Sequence, residues 1–310
     1  MMLISWLPNR IGRASLLAVT LLYMAAVAGA QQPDAGQNQP APHPMPLQAA
    51  VFHDLIPTGD LGFLADYDGK MPKDIERDKR FRHIESMITP PAYYFYHHDR
   101  ELSEARDLVL DEAPMPISVR EGRYVMVATV GGPDQNMHGR GFIWIDIQTG
   151  IGLGGISFRP INGEPAPTLT IFSKQLTDTY LGMNQLPPEF LQDLNQWALI
   201  AKVHATSPRY FIPANKKKYA LVHDGDYCEH AAGSAAPPED ECEEMNAEAA
   251  DADMEAAYFM KETGHLSDAT AYLLESDFSA WIALRQRTCG AGLTCRVVYT
   301  RRRVRELLGQ

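Results

Sequence analysis

Between Arg123 and Phe172 the chain reads as one strand after another, and this block limits the folds open to it. Arg123 to Val130 is β-branched and aromatic, Gly141 to Ile147 alternates cleanly, and Ile151 to Phe158 and Leu169 to Phe172 supply two more candidates. Gln148-Thr149-Gly150 is a tight-turn signal, so successive strands pair as an antiparallel sheet. Glycines in the third strand mark places where neighbours approach closely.

Helical patterns flank the block. Leu61 to Tyr67 reads as helix, and Phe81, Ile84 and Ile88 recur at spacings of three and four before Pro90-Pro91 stops them. Asp99 to Leu110 reads as a further helical piece. Pro187-Pro188 opens a helix with an apolar stripe of Phe190, Leu194 and Trp197. Arg209 to Ile212 and Lys218 to Val222 are short strands around a basic turn at Asn215. The fold class is therefore α+β: an antiparallel sheet with packed helices, followed by a small helical domain.

That last domain starts near Asp226. Pro237-Pro238 leads into an acidic, alanine-rich helix from Glu239 to Glu255. Leu266 to Arg287 and Arg296 to Leu308 then read as helices, with Phe278, Trp281 and Leu284 on one face and Val297, Arg301, Val304 and Leu308 on another. This end is arginine-rich, so the acidic helix is expected to pair with the basic ones. All four cysteines of the 310 residues, Cys228, Cys242, Cys289 and Cys295, fall in this stretch. Four cysteines allow three pairings.

Met1 to Ala30 has the pattern of a secretory signal: Arg10 and Arg13, an apolar run, then Ala28-Gly29-Ala30 before cleavage at Gln31. Gln31 to Leu47 carries five prolines and reads as a disordered leader reaching to about residue 50. The expected layout is 1–30 signal, 31–50 leader, 51–225 an α+β domain and 226–310 a helical domain. Export to the periplasm or beyond permits disulfides. After signal removal no membrane insertion is expected.

Charge narrows the partners. With 28 basic against 39 acidic residues the chain carries −11, and losing a signal with two arginines and no acids takes it to about −13. Duplex nucleic-acid binders need basic surfaces, so nucleic acid is excluded as a partner. No hydrolase elbow, phosphate loop, His-Glu-x-x-His helix or Cys-x-x-Cys pair is present, and no catalytic residue or cofactor is expected. His223, Asp226, Cys228 and His230 have side chains that suit zinc. In an exported chain with an even cysteine count that junction reads as oxidised, and no metal is expected. Tyr93 to Tyr96 reads as a packed aromatic edge, while His97-His98-Asp99 is the set an enzyme would have to use.

Two stretches resemble lysozyme inhibitors. Asp226 to Leu308 resembles the LprI-type lysozyme-inhibitor domain through Cys228 and Cys242, the acidic helix from Met245 to Tyr258, Trp281-x-x-x-Arg285-x-x-x-Cys289, and Cys295 followed by Tyr299 and Arg301. The resemblance implies pairs Cys228–Cys242 and Cys289–Cys295. It also implies a helical core built on Trp281, Arg285, Tyr299 and Arg301, with disulfides restricting the unfolded chain. Leu61 to Trp197 is similar to the inhibitor-of-vertebrate-lysozyme fold, through Gly122 to Met126, Arg140 to Asp146, Thr149-Gly150 and Gly154-Gly155. That fold implies helices on one side of an antiparallel sheet and an inter-strand loop presenting a histidine to the lysozyme cleft. The matching loop is Gly131, Gly132, Pro133, Asp134, Gln135, Asn136, Met137, His138 and Gly139; it holds a histidine and no cysteine. The implied role is a non-catalytic inhibitor of a lysozyme-like cell-wall hydrolase. The alternative is a periplasmic structural module that binds another envelope protein or peptidoglycan fragments.

Overall fold

Alternation along the 123–172 block sends one set of apolar side chains to each face of an eight-stranded sheet. The computed structural model describes residues 51–94, 100–104, 114–131, 139–159, 167–204, 206–223, 239–262 and 268–310. All of them lie in the unit Pro44–Gln310. Helices α1 (Pro72–Ile75) and α2 (Lys79–Ile88) come first, then a two-stranded ladder of β1 (Tyr93–Tyr94) and β2 (Arg100–Glu101). The sheet follows: β3 (Ser118–Arg120), β4 (Tyr124–Ala128), β5 (Arg140–Asp146), β6 (Gly152–Phe158), β7 (Thr168–Phe172), β8 (Leu181–Gly182), β9 (Arg209–Ile212) and β10 (Tyr219–Val222). Helix α3 (Pro188–Ala201) separates β8 from β9.

The strand order is β3-β4-β5-β6-β7-β9-β10-β8. From β3 to β7 every pair is antiparallel, as the turn signals require. The chain then leaves through β8 and α3, so β9 arrives beside β7 parallel to it, and β10 pairs in parallel with β8. One face carries Phe142, Trp144, Leu153, Ile171 and Phe211 against Phe190, Leu194 and Trp197 of α3. The other carries Val125, Val127, Ile143, Ile145 and Phe172 against Phe81, Ile84 and Ile88 of α2. Both faces are thus covered, where the resemblance implies helices on one.

Two glycines of β6 make room for this packing. A Cβ on Gly154 would lie 2.1 Å from the Phe172 ring, and one on Gly155 2.3 Å from the Phe142 ring. At the β5–β6 turn Gly150 has φ +77°, and a side chain there would strike the Ile56 carbonyl.

The C-terminal helices α4 (Glu239–Glu262), α5 (Asp268–Cys289) and α6 (Leu293–Leu308) pack against each other and, through α4, against β9 and β10. Phe259 meets Tyr210 at 6.3 Å between centroids, and Ala256 fits beside Ala220. Met254, Ala257, Tyr258, Trp281, Val304 and Leu307 close a second core with Val222. The expected pairing of acidic and basic helices is present: Asp251 of α4 accepts from both Arg285 of α5 and Arg296 of α6. Cys289 and Cys295 are bonded to each other, and Cys242 is oxidised. Its expected partner Cys228 lies outside the described residues.

Some sequence expectations differ in detail. Gly62–Tyr67 is helical as read, in the 3-10 form. In the stretch read as helical from Asp99 to Leu110, Arg100–Glu101 pairs as a strand with Tyr93–Tyr94, and residues 102–104 are helical as expected. Tyr93, the first residue of the aromatic run read as a packed edge, is 67% exposed, and Phe95 and Tyr96 lie outside the described residues. On α5, Leu284 is 43% exposed while Arg285 is buried, because the face shared by Trp281 continues at the fourth residue, not the third.

Candidate functional site

The antiparallel order brings the end of β4, the start of β5, the end of β6 and the start of β7 to one end of the sheet. Parallel pairing of β9 with β7 adds the start of β9 and the end of β10 to that end. The loop expected to touch a partner therefore shares its end with the β6–β7 connection and the approach to β9. Of that loop, Gly131 and Gly139 are described; Gly132, Pro133, Asp134, Gln135, Asn136, Met137 and His138 lie outside the described residues. Gly131 takes φ +80°, a left-handed turn out of β4 that glycine adopts without strain.

The base of the hairpin is held firmly. Thr129 N–H donates to Gly141 O at 2.9 Å, and Gly141 N–H to Thr129 Oγ1 at 3.3 Å. Trp197 of α3 donates its Nε1–H to Thr129 O at 2.8 Å, while its ring meets Phe142 edge-on at 4.8 Å. A loop that enters and leaves through hydrogen-bonded, aromatic-packed strands is fixed at its roots. Helix α3 ends at this same end, with Leu199 81% and Ile200 47% exposed.

The opposite end is closed by ion pairs. Arg123 donates through Nε and Nη2 to Asp146, each at 2.7 Å, and Asp146 also accepts from Thr149 Oγ1 at 2.6 Å and Gln148 N–H at 3.0 Å. Burial pushes the Asp146 carboxyl up, but Arg123, Thr149 and Gln148 together outweigh it and hold the group below its ordinary value. Asp193 of α3 accepts from Arg120 Nε at 2.9 Å and Trp144 Nε1 at 2.8 Å. These contacts tie α3 to β3 and β5.

A third polar group joins the sheet to the helices. His223, just after β10, donates its backbone N–H to Asp253 Oδ2 at 2.7 Å and pairs through Nδ1 with Asp253 Oδ1 at 2.6 Å, both side chains buried. His223 is thus engaged with α4; Asp226, Cys228 and His230, weighed with it as zinc ligands, lie outside the described residues. Among the described residues no group of three His, Cys, Asp or Glu side chains could hold a metal ion. His97, His98 and Asp99 also lie outside them.

Of the residues expected to build the helical core, Trp281, Arg285 and Tyr299 come together. The Trp281 ring lies tilted 6.0 Å from that of Tyr299, the Arg285 guanidinium sits 5.0 Å over the Trp281 ring, and Arg285 Nη1 donates to the fully buried Thr300 Oγ1 at 2.8 Å. Arg301 is half-buried on α6. Nearby, Tyr258 donates to Asp277 Oδ2 at 2.9 Å and accepts from Arg303. A surface hollow of about 280 Å³ lies elsewhere, lined by Arg82, Glu85, Thr89, Pro90 and Lys174.

Sequence reading missed Arg140, Asp193 and Asp253. Each had a signal: a charged residue opening an otherwise apolar strand, and acids inside the buried face of a helix. Comparison with protein-family models, curated proteins and solved structures finds no match to the chain. Among the described residues no helix is long and apolar enough to cross a membrane.

Proposed function

We propose that this is an exported, non-catalytic protein of the periplasm or secreted space that inhibits a lysozyme-like cell-wall hydrolase through the 131–139 end of its sheet. The observation that carries the reading is the anchorage of that hairpin. Thr129 and Gly141 cross-link its roots, and Trp197 braces them from α3. An inhibitor needs a presented segment on a rigid support more than a constellation of reacting groups. The resemblances to two inhibitor families support the same role. Lysozymes are commonly cationic, and a chain near −13 after signal removal would meet them faster at low salt.

The test is loss of cell-wall lysis. Purified protein is added to several lysozymes in a turbidity assay; falling lysis at near-equimolar protein supports the reading, and undiminished lysis by every lysozyme at large excess sinks it. A second reading, an interaction module for another envelope protein, draws on Tyr272 and Leu273, which stand 71% and 65% exposed on α5. Pull-down from an envelope extract separates the two, since one stoichiometric partner that is not a lysozyme favours the module.

A further inference from the structure

Buried polar groups in folded chains find partners, and those that do not ask for an explanation. At the Asp146 end of the sheet the guanidinium groups are matched, Arg120 to Asp193 and Arg123 to Asp146. At the loop end the matching stops. Arg140, the first residue of β5, is only 9% exposed, and its Nη1 is shut off from solvent with no hydrogen bond. Among the described residues its side chain has no acid partner. Burial pushes its guanidinium below the ordinary value, and the neighbouring charge that adds to this is a like one, Arg159.

Two more buried groups at the same end are unsatisfied. Ser207 Oγ, just before β9, and Thr168 Oγ1, at the start of β7 but on the opposite face with Phe158 and Phe172, have no partner among the described residues. Gly131 makes room for the guanidinium: a Cβ there would stand 3.3 Å from Arg140 Nε and 3.6 Å from its Cδ. Register places Arg140 across from Ser157, two residues before Arg159.

We infer that Arg140, with Arg159 beside it, forms an oxyanion site that takes a carboxylate or phosphate group at the loop end of the sheet. The planar fork of a guanidinium matches both groups, and a charge-assisted pair formed away from bulk water is strong. Without an anion, a buried cation faced by another cation costs stability. An anion removes both penalties. The inference stands apart from the inhibitor reading, because a small anion can bind whether or not any lysozyme is inhibited.

The experiment follows the Tm of the purified protein with sodium phosphate or sodium acetate against sodium chloride at equal ionic strength. The expected result is a saturable rise with one of the oxyanions that chloride does not reproduce. Arg140→Met should abolish that rise while leaving the anion-free Tm unchanged or raising it by about 2–4 °C, since an unpaired buried charge is lost. Arg159→Gln, at an exposed position, should keep the fold and weaken phosphate binding several-fold. Equal anion responses in the wild type and Arg140→Met would overturn the inference. So would a fall in Tm for Arg140→Met matched by Asp134→Asn, or by Glu164→Gln in the sequence between β6 and β7, which would give the guanidinium an acid of its own chain. Where a bound lysozyme competes with phosphate, the oxyanion is the partner's carboxylate; where phosphate still binds in the complex, it is a free ligand.

Discussion

Asp146 shows how one carboxylate sets an acid limit on the fold. Its side chain is 5% exposed and gathers Arg123, Thr149 and the Gln148 N–H. Because those donors depress its folded value below the unfolded one, its contribution is complete above about pH 4 and fades as pH falls through the lower folded value. Thermal melts from pH 6 to pH 2 should therefore show a Tm decline below about pH 4 that is shallower in Asp146→Asn, which starts lower at neutral pH. A parallel decline in both proteins would remove Asp146 from the account. Gly154 is a second residue-scale test. Adding a methyl group where the Phe172 ring lies 2.1 Å away forces the core to shift, and Gly154→Ala should cost at least about 1–3 kcal/mol in urea unfolding.

At the scale of elements, β4 to β7 and α3 were legible because periodicity and turn chemistry agree there: clean alternation in β5, Thr149-Gly150 at the turn, and Phe190, Leu194 and Trp197 on one helix face. The parallel joints were not, because nothing local says that β9 will settle beside β7 instead of beside β8. Arg100 and Glu101 carry no strand signal of their own; their state comes from pairing with Tyr93 and Tyr94. The roots of the candidate loop could be read as strand ends, whereas the brace from Trp197 to Thr129 spans 68 residues and is a product of packing. That brace is testable. Trp197→Phe keeps the ring in the core but removes the donor to a backbone carbonyl, and should cost about 1–3 kcal/mol while speeding amide exchange at Thr129 and Gly141. Unchanged exchange at both amides would show that the hairpin roots do not depend on α3.

In the whole molecule the C-terminal helices are tied to the sheet by contact and charge, and to one another by charge and oxidation. His223–Asp253 and Tyr210–Phe259 join α4 to the strands, Asp251 joins α4 to α5 and α6, and Cys289–Cys295 closes the turn between the last two helices. Replacing Cys289 and Cys295 by serine frees a short loop and should lower stability by about 2 kcal/mol by chain entropy, read from urea midpoints under oxidising conditions. An unaltered midpoint would mean that the Trp281 core and the Asp251 and Arg285 contacts hold the helix pair without the disulfide. The acidic balance acts at this same scale: binding to a cationic hydrolase should slow as salt rises from low to physiological ionic strength. The most direct measurement compares the intact protein with a version whose residues 132–138 are replaced by seven Gly and Ser residues, each titrated into a lysozyme during cell-wall lysis. The account predicts stoichiometric inhibition by the intact protein and none by the replaced one at equal folded concentration. Equal inhibition by both, or none by the intact protein, would contradict it.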